Sequence, residues 1–396
     1  MRTYFFFLTT LFLCALPDLS RAQDGIARVL DEVGRNNKTL RANAQYWEAQ
    51  KIQFNTGLLP NNPTIGYDFL GGRPVGAGNQ HEFTLMQEFD FPTVYTQKAR
   101  LAEQQSAQSV FELATVRQGI LLDAQKTCLG LVYHHQLRAL LERRERGLQK
   151  LLGDFQARLD RGEGTILDIH KAKLQLVELG RQMLENEAAI RQLDEKLAGL
   201  NGGTSLVFAD TVYPERPVLP ELAQLENECE QADPRGKSLE QQQRISQQQL
   251  EVARAQWLPK FEVGYRYQGI LGQTYNGFHT GFSVPLWENK NTVRLQEAKI
   301  RFDELNLQDY RNEHHSDLRQ LYEKYRILDQ TLLRYQALFA DLPDAVALLD
   351  KALALGQLTA VEYFLETDYY HSAFQDFLAT EKELRETEAE LLRHRL

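Results

Sequence analysis

The sequence is written twice, and an internal repeat of this length fixes the architecture before any single residue does. Each half opens on Leu-Pro and continues through an alternating strand, a loop and a second alternating strand that ends near a proline. Each then enters a long helical tract broken once by Gly-x-x-Thr. Leu59-Pro60 answers Leu258-Pro259, Ile65-Gly66-Tyr67 answers Val263-Gly264-Tyr265, and Phe89-Asp90-Phe91-Pro92 answers Phe282-Ser283-Val284-Pro285. Gly162, Thr165 and Asp168 answer Gly356, Thr359 and Glu362. The offset is 199 at Pro60/Pro259, 193 at Pro92/Pro285 and 194 at Gly162/Gly356. The helical tracts therefore keep register, and the length difference falls in a hairpin loop, where insertions are tolerated.

Four segments follow from this reading. Residues 1–22 are a leader, 23–200 the first repeat, 201–235 a linker and 236–396 the second repeat. The strands lie at about 63–91 and about 260–286, and the helical tips at about 161–168 and about 356–362. Pro214, Pro217 and Pro220 keep the linker from being one helix.

The leader has the form of a secretory signal. Arg2 supplies the positive start, Tyr4 to Leu16 is apolar, and Ser20-Arg21-Ala22 places small residues where a signal peptidase reads them. Cleavage after Ala22 leaves Gln23 first. The apolar run is short for a membrane span, and Leu13 before Cys14 does not fit a lipoprotein signal, so no lipid anchor is expected. Export changes the meaning of cysteine: only Cys128 and Cys229 remain, too few for a disulfide framework in so long a chain. Both are placed near mid-height of the helical part, where either a pair or two separate buried thiols is open.

Without the leader the chain has 43 basic and 53 acidic side chains, a net charge of −10. That balance argues against a nucleic-acid partner, which calls for a basic face. Beyond the leader no apolar run reaches the length of a membrane-spanning helix. The chain enters a bilayer, if at all, as part of a closed β-barrel.

The strands suit that route. Ile65, Tyr67 and Phe69 share one face of the first strand, and Phe83, Leu85, Phe89 and Phe91 one face of the second. Phe261, Val263, Tyr265 and Tyr267 oppose Glu262, Arg266 and Gln268 in the third, and Phe278, Phe282, Val284 and Leu286 oppose His279, Gly281 and Ser283 in the fourth. Aromatic-rich faces suit lipid and charged faces suit a wet lumen. A bacterial single-chain barrel needs at least about eight strands, and this chain offers four. Two copies give eight and three give twelve, and symmetric closure is the default.

Thr93 to Arg161 contains no proline, and at ~1.5 Å per residue that tract runs roughly 100 Å as a helix. Trp287 to Leu355 is similar, interrupted by Pro343, which is expected to kink it. Leu176, Leu179, Met183, Ile190, Leu193, Leu197 and Leu200 form a heptad stripe on the first return, with polar Asn186 in the same seam. Leu137, Leu141, Leu148, Leu151, Phe155 and Leu159 face it from the descending tract, and Phe377, Leu384 and Leu391 recur every seven residues in the second half.

No phosphate loop, nucleophile elbow or metal-ligand cluster is present in the sequence, so no catalytic, cofactor or metal site is expected. His134-His135 and His314-His315 are adjacent on helices, where neighbours diverge, and are read as packing residues.

Strand hairpins alternating with long helical hairpins, the Leu-Pro entries and the two tips Arg161-Gly162-Glu163-Gly164-Thr165-Ile166-Leu167-Asp168 and Gly356-Gln357-Leu358-Thr359-Ala360-Val361-Glu362 resemble the TolC family of outer-membrane factors over the whole mature chain. The resemblance implies a mainly α fold with a β-barrel part. It implies a homotrimer in which three chains share a twelve-stranded barrel in outer-membrane lipid and a twelve-helix periplasmic tube. It makes the linker and chain ends an equatorial belt. It implies the exit duct of a tripartite efflux or type I secretion system, joined to an inner-membrane pump of RND or ABC type through a periplasmic adaptor. The alternative from the residues alone is a periplasmic structural or adaptor coiled coil; the cargo stays open.

Two sites are expected at the tips. Gly162, Gly164, Thr165, Gly356 and Thr359 form the turns on which an adaptor docks. Asp168 and Glu362, at matching places just above, are either gate carboxylates around a narrow entrance, held by Arg161 or Lys171 when closed, or helix-start carboxylates favoured by the helix dipole.

Overall fold

The computed structural model describes residues 21–342 and 344–396. The signal-peptide reading falls mostly outside the described residues; Arg21 and Ala22 open the first helix. Pro343 also lies outside them. Helices α1 (Arg21–Asn36) and α2 (Lys38–Phe54) precede strands β1 (Thr64–Leu70) and β2 (Gln80–Phe89), then helices α3 (Pro92–Asp160) and α4 (Ile166–Leu200). Helices α5 (Leu222–Ala232) and α6 (Pro234–Ala255) precede β3 (Lys260–Ile270) and β4 (Gln273–Ser283), then α7 (Thr292–Asp341), α8 (Ala345–Ala354) and α9 (Ala360–Leu391).

The long helix of the first repeat is as the proline spacing requires. Its 69 residues begin on Pro92, which fits the first helical position because that residue's N–H has no intrahelical partner. Its counterpart is shorter than the sequence suggested. The tract from Trp287 starts as a turn in which the Lys290 N–H donates to the Trp287 carbonyl at 3.1 Å and Asn291 takes φ +69°. Helix therefore begins only at Thr292, and in place of a kinked helix there are two, α7 and α8, on either side of Pro343. In the segment between the repeats, residues 204–221 carry no helix or strand, and α5 follows.

The strands form one antiparallel sheet in the order β1-β2-β3-β4. Ile65 pairs with Leu85, Leu85 with Tyr265 and Tyr265 with Phe278, while Gly66 pairs with Thr84, Thr84 with Arg266 and Arg266 with Gly277. Rows of like residues thus line up across all four strands, and a slip of one residue would scramble both faces.

The chain divides into two compact units. One comprises residues up to Arg35, Ala124–Pro217 and Leu332–Glu386. In it, Ile26, Val29 and Val33 of α1 are buried, and Arg28 donates to the Val207 carbonyl at 3.3 Å. The seam predicted from the heptads is the one that forms: Leu179, Asn186, Ile190 and Leu197 of α4 are buried, as are Leu141 and Phe155 of α3. Near the tips Phe155, Ile169, Ala172, Leu353, Tyr363 and Phe364 pack into one cluster.

The other unit comprises Asn36–Asp123, Val218–Thr331 and Thr387–Leu396. It holds the sheet. Here α6 lies along α3 through amides: Gln248 donates to the Gln97 carbonyl at 3.2 Å and its side-chain oxygen at 2.7 Å, and Gln241 does the same to Gln104 at 2.9 and 2.8 Å. Leu225, Cys229, Leu318 and Leu391 form its buried cluster. Cys229 and Cys128 are both free and buried, so no disulfide links them. Burial pushes the Cys128 thiol up to about 12 and the Cys229 thiol up to about 11, which leaves both protonated and unreactive.

Candidate functional site

Each tip is a glycine-terminated helix followed by a threonine-capped one. In the first, Gly162 has φ +77°, the Gly162 N–H donates to the Leu159 carbonyl at 2.9 Å and the Glu163 N–H to the Arg158 carbonyl at 2.9 Å. This is the Schellman arrangement, and it needs a residue free to enter the left-handed region. The second tip repeats it: Gly356 has φ +71°, its N–H donates to Leu353 at 3.2 Å and the Gln357 N–H to Ala352 at 2.9 Å. Gly164 serves differently. A Cβ there would lie 3.0 Å from the Leu159 nitrogen, so glycine lets the chain pass close to the end of α3.

The next helix starts on the threonine in both. Thr165 is the N-cap of α4 and accepts from the Asp168 N–H at 3.4 Å, while its hydroxyl donates to Asp168 Oδ2 at 2.8 Å. Thr359 accepts from the Glu362 N–H at 3.3 Å, and Glu362 Oε2 accepts from both the Thr359 N–H and hydroxyl at 2.8 Å. The second tip is a complete capping box; these bonds hold the Glu362 carboxyl below its ordinary range. Both carboxylates are thus helix-start partners within one chain. Arg161 does not pair with Asp168; its partner is Glu163, at 3.4 Å.

The sheet is two-faced. Ile65, Tyr67, Phe69, Phe261, Val263 and Phe278 are exposed on one side. On the other, Arg266 forms an ion pair with Glu82, and His279 lies 4.0 Å from Glu262. The outer strands β1 and β4 each have one unpaired edge within the chain.

The paired histidines hold structure. His134 binds Asn186 at 2.7 Å, His135 the Asp210 carbonyl at 3.1 Å, and His314 stacks on Tyr310 and meets Arg393 at 3.2 Å. Among the described residues no group of three or more His, Cys, Asp or Glu could hold a metal ion, and no helix is long and apolar enough to cross a membrane.

No protein-family model matches the chain, and no curated protein gives a significant match. Solved structures do. CusC, studied for conformational changes accompanying folding and transmembrane channel formation, shares 14% identity over 94% of this chain and 92% of that one, with a TM-score of 0.80. The Campylobacter jejuni CmeC outer membrane channel shares 14% over 94% and 85%, with a TM-score of 0.77. The open state of the Neisseria gonorrhoeae MtrE outer membrane channel shares 14% over 93% and 88%, also with a TM-score of 0.77. The fold is that of the TolC-family outer-membrane channels. In this TolC-like chain the two strand hairpins and two helical hairpins of the sequence reading are all present. The mainly helical fold class expected from the repeat is therefore the observed one.

Proposed function

We propose that the chain forms the outer-membrane exit duct of a tripartite efflux or type I secretion system, a passive channel fed by an inner-membrane pump through a periplasmic adaptor. The observation that carries this reading is the open sheet, with aromatics exposed on one face and ion pairs on the other. A bilayer tolerates strands only when every backbone group is paired. Three copies joined edge to edge, β4 of one beside β1 of the next, close twelve strands with aromatics toward lipid and charges toward a wet lumen. The long helices then continue the duct below the membrane, and the linker and chain ends belt it. The leader, cleaved near Ala22, delivers the chain to the outer membrane. Selection of cargo falls to the pump.

Extraction and electrophysiology test this. The protein should require detergent to leave outer membranes, run as a heat-sensitive trimer and conduct ions in planar bilayers. Release without detergent, together with absence of conductance, would favour the periplasmic structural or adaptor reading. A monodisperse monomer that conducts would overturn the shared barrel.

A further inference from the structure

The helical unit contains a cleft of about 410 Å³ between α3, α4 and α9, within the size range of small-molecule sites. Phe364 and Leu179, both buried, and partly buried Leu148 give it an apolar lining. Three polar side chains line it from three different helices: Arg144 of α3, Gln182 of α4 and His371 of α9.

Each of the three is short of a partner. The Arg144 side chain is only 18% exposed, and burial lowers its pKa from the ordinary value. Its carboxylate neighbour, Asp368, is 3.9 Å away, beyond hydrogen-bond reach. Asp368 is also 71% exposed, so water screens much of its charge. The other acid of the cleft, Glu178, accepts from Arg181 on its own helix. Among the described residues, His371 Nδ1 and Gln182 Oε1 are buried with no hydrogen-bond partner. Buried polar atoms are ordinarily satisfied, because leaving them unpaired is costly.

These deficits describe a ligand. Arg144 calls for an anion, and a guanidinium holds a carboxylate by two parallel hydrogen bonds. Burial and the Arg144 charge keep His371 neutral, and in its Nδ1–H tautomer it donates to the same carboxylate. Gln182 Oε1 can only accept, so the ligand brings a hydroxyl donor. The apolar lining takes the carbon body. We propose that this cleft binds a small organic carboxylate that carries a hydroxyl group on an apolar body. Such a ligand touches α3, α4 and α9 together and so stabilises the helical unit. The site lies within one unit of one chain and does not depend on the duct reading above.

The probe is para-hydroxybenzoate, which is ionised at neutral pH, titrated into the purified protein. Calorimetry should find saturable binding, and the unfolding temperature should rise with ligand concentration. Para-hydroxybenzamide, the same shape without the charge, should bind at least about tenfold more weakly, and so should para-hydroxybenzoate to Arg144→Gln. The parent should prefer para-hydroxybenzoate to benzoate, and Gln182→Leu should remove that preference. Photolabelling with azidosalicylate, located by mass spectrometry, needs no variant. The label should fall within residues 144–148, 175–182 or 361–371 and be suppressed by para-hydroxybenzoate. Absence of saturable binding, equal binding of the amide, equal binding of benzoate, or label outside those segments would each overturn the site.

Discussion

Asn186 and His134 are joined by two hydrogen bonds across the α3–α4 seam. His134 Nδ1 meets Asn186 Oδ1 at 2.7 Å, and Asn186 Nδ2 donates to the His134 carbonyl at 3.0 Å. The pair sits where the other seam positions of α4 are apolar, and it satisfies both side chains at one height only. A polar residue in such a position lowers stability and sets register. Asn186→Ala strands the histidine and should cost about 1–3 kcal/mol. Asn186→Leu with His134→Leu removes both polar partners and should melt no lower than the parent, yet permit sliding. Chemical denaturation reads the first effect, and cysteine trapping across the seam the second.

Gly162 and Gly356 are constrained by conformation, whereas Gly164 is constrained by space. Alanine at Gly162 or Gly356 must enter the left-handed region and should cost roughly 1 kcal/mol each. A bulky residue at Gly356 or Thr359 adds a side chain on the outer surface of the tip. If an adaptor docks there, such variants should lose transport while still trimerising and inserting. Full transport would mean that the tips are turns and nothing more.

The legible parts were those with a period. The seam of α4 shows itself because Leu179, Ile190 and Leu197 recur on a heptad, and the sheet because aromatics alternate. The partner of Asn186 was not legible, since it lies 52 residues away on another helix. Helices α2 and α6 were missed for a different reason. No residue of α2 is buried, and the buried face of α6 mixes Leu239, Ile245 and Leu250 with Ser238, Gln241 and Ser246, so neither shows a purely apolar stripe. The tip carboxylates were legible as a matched pair. Their local bonds, and the turn of Arg161 toward Glu163, depend on the path of the chain.

His371 makes the helical unit acid-sensitive. It lines a cleft with Arg144 of α3, Glu178 of α4 and Asp368 of α9. Burial, then the Arg144 charge, push it from 6.5 down to about 4. Arg144 is 3.9 Å from Asp368, which offsets only part of its field. The folded chain holds this histidine neutral where the unfolded chain binds a proton. The stability it contributes is present above the unfolded value and is lost as pH falls from 6.5 toward 4. Melting temperature should fall through that window. His371→Gln should flatten that part of the slope, and an unchanged slope would assign the acid sensitivity to other groups.

Asp168 and Glu362 each lie six residues past the tip glycine before them, and the gate proposed for them is testable because their structural work can be separated from their charge. Each accepts hydrogen bonds from its own threonine, Asp168 at 2.8 Å from the Thr165 hydroxyl and Glu362 at 2.8 Å from the Thr359 hydroxyl and N–H. An amide oxygen accepts the same bonds. Asp168→Asn with Glu362→Gln therefore keeps both helix starts and removes the charge. In a ring of three, six carboxylates would surround the entrance, attract cations and bind multivalent ones. The doubly substituted trimer should show lower cation selectivity and weaker block by multivalent cations in a planar bilayer, or a higher basal open probability if the carboxylates hold closing ion pairs. Alanine at both positions, which also removes the acceptors, serves as the control for helix capping. If the amide variant matches the parent in selectivity, block and open probability, the two carboxylates are helix-start residues and the constriction lies elsewhere in the duct.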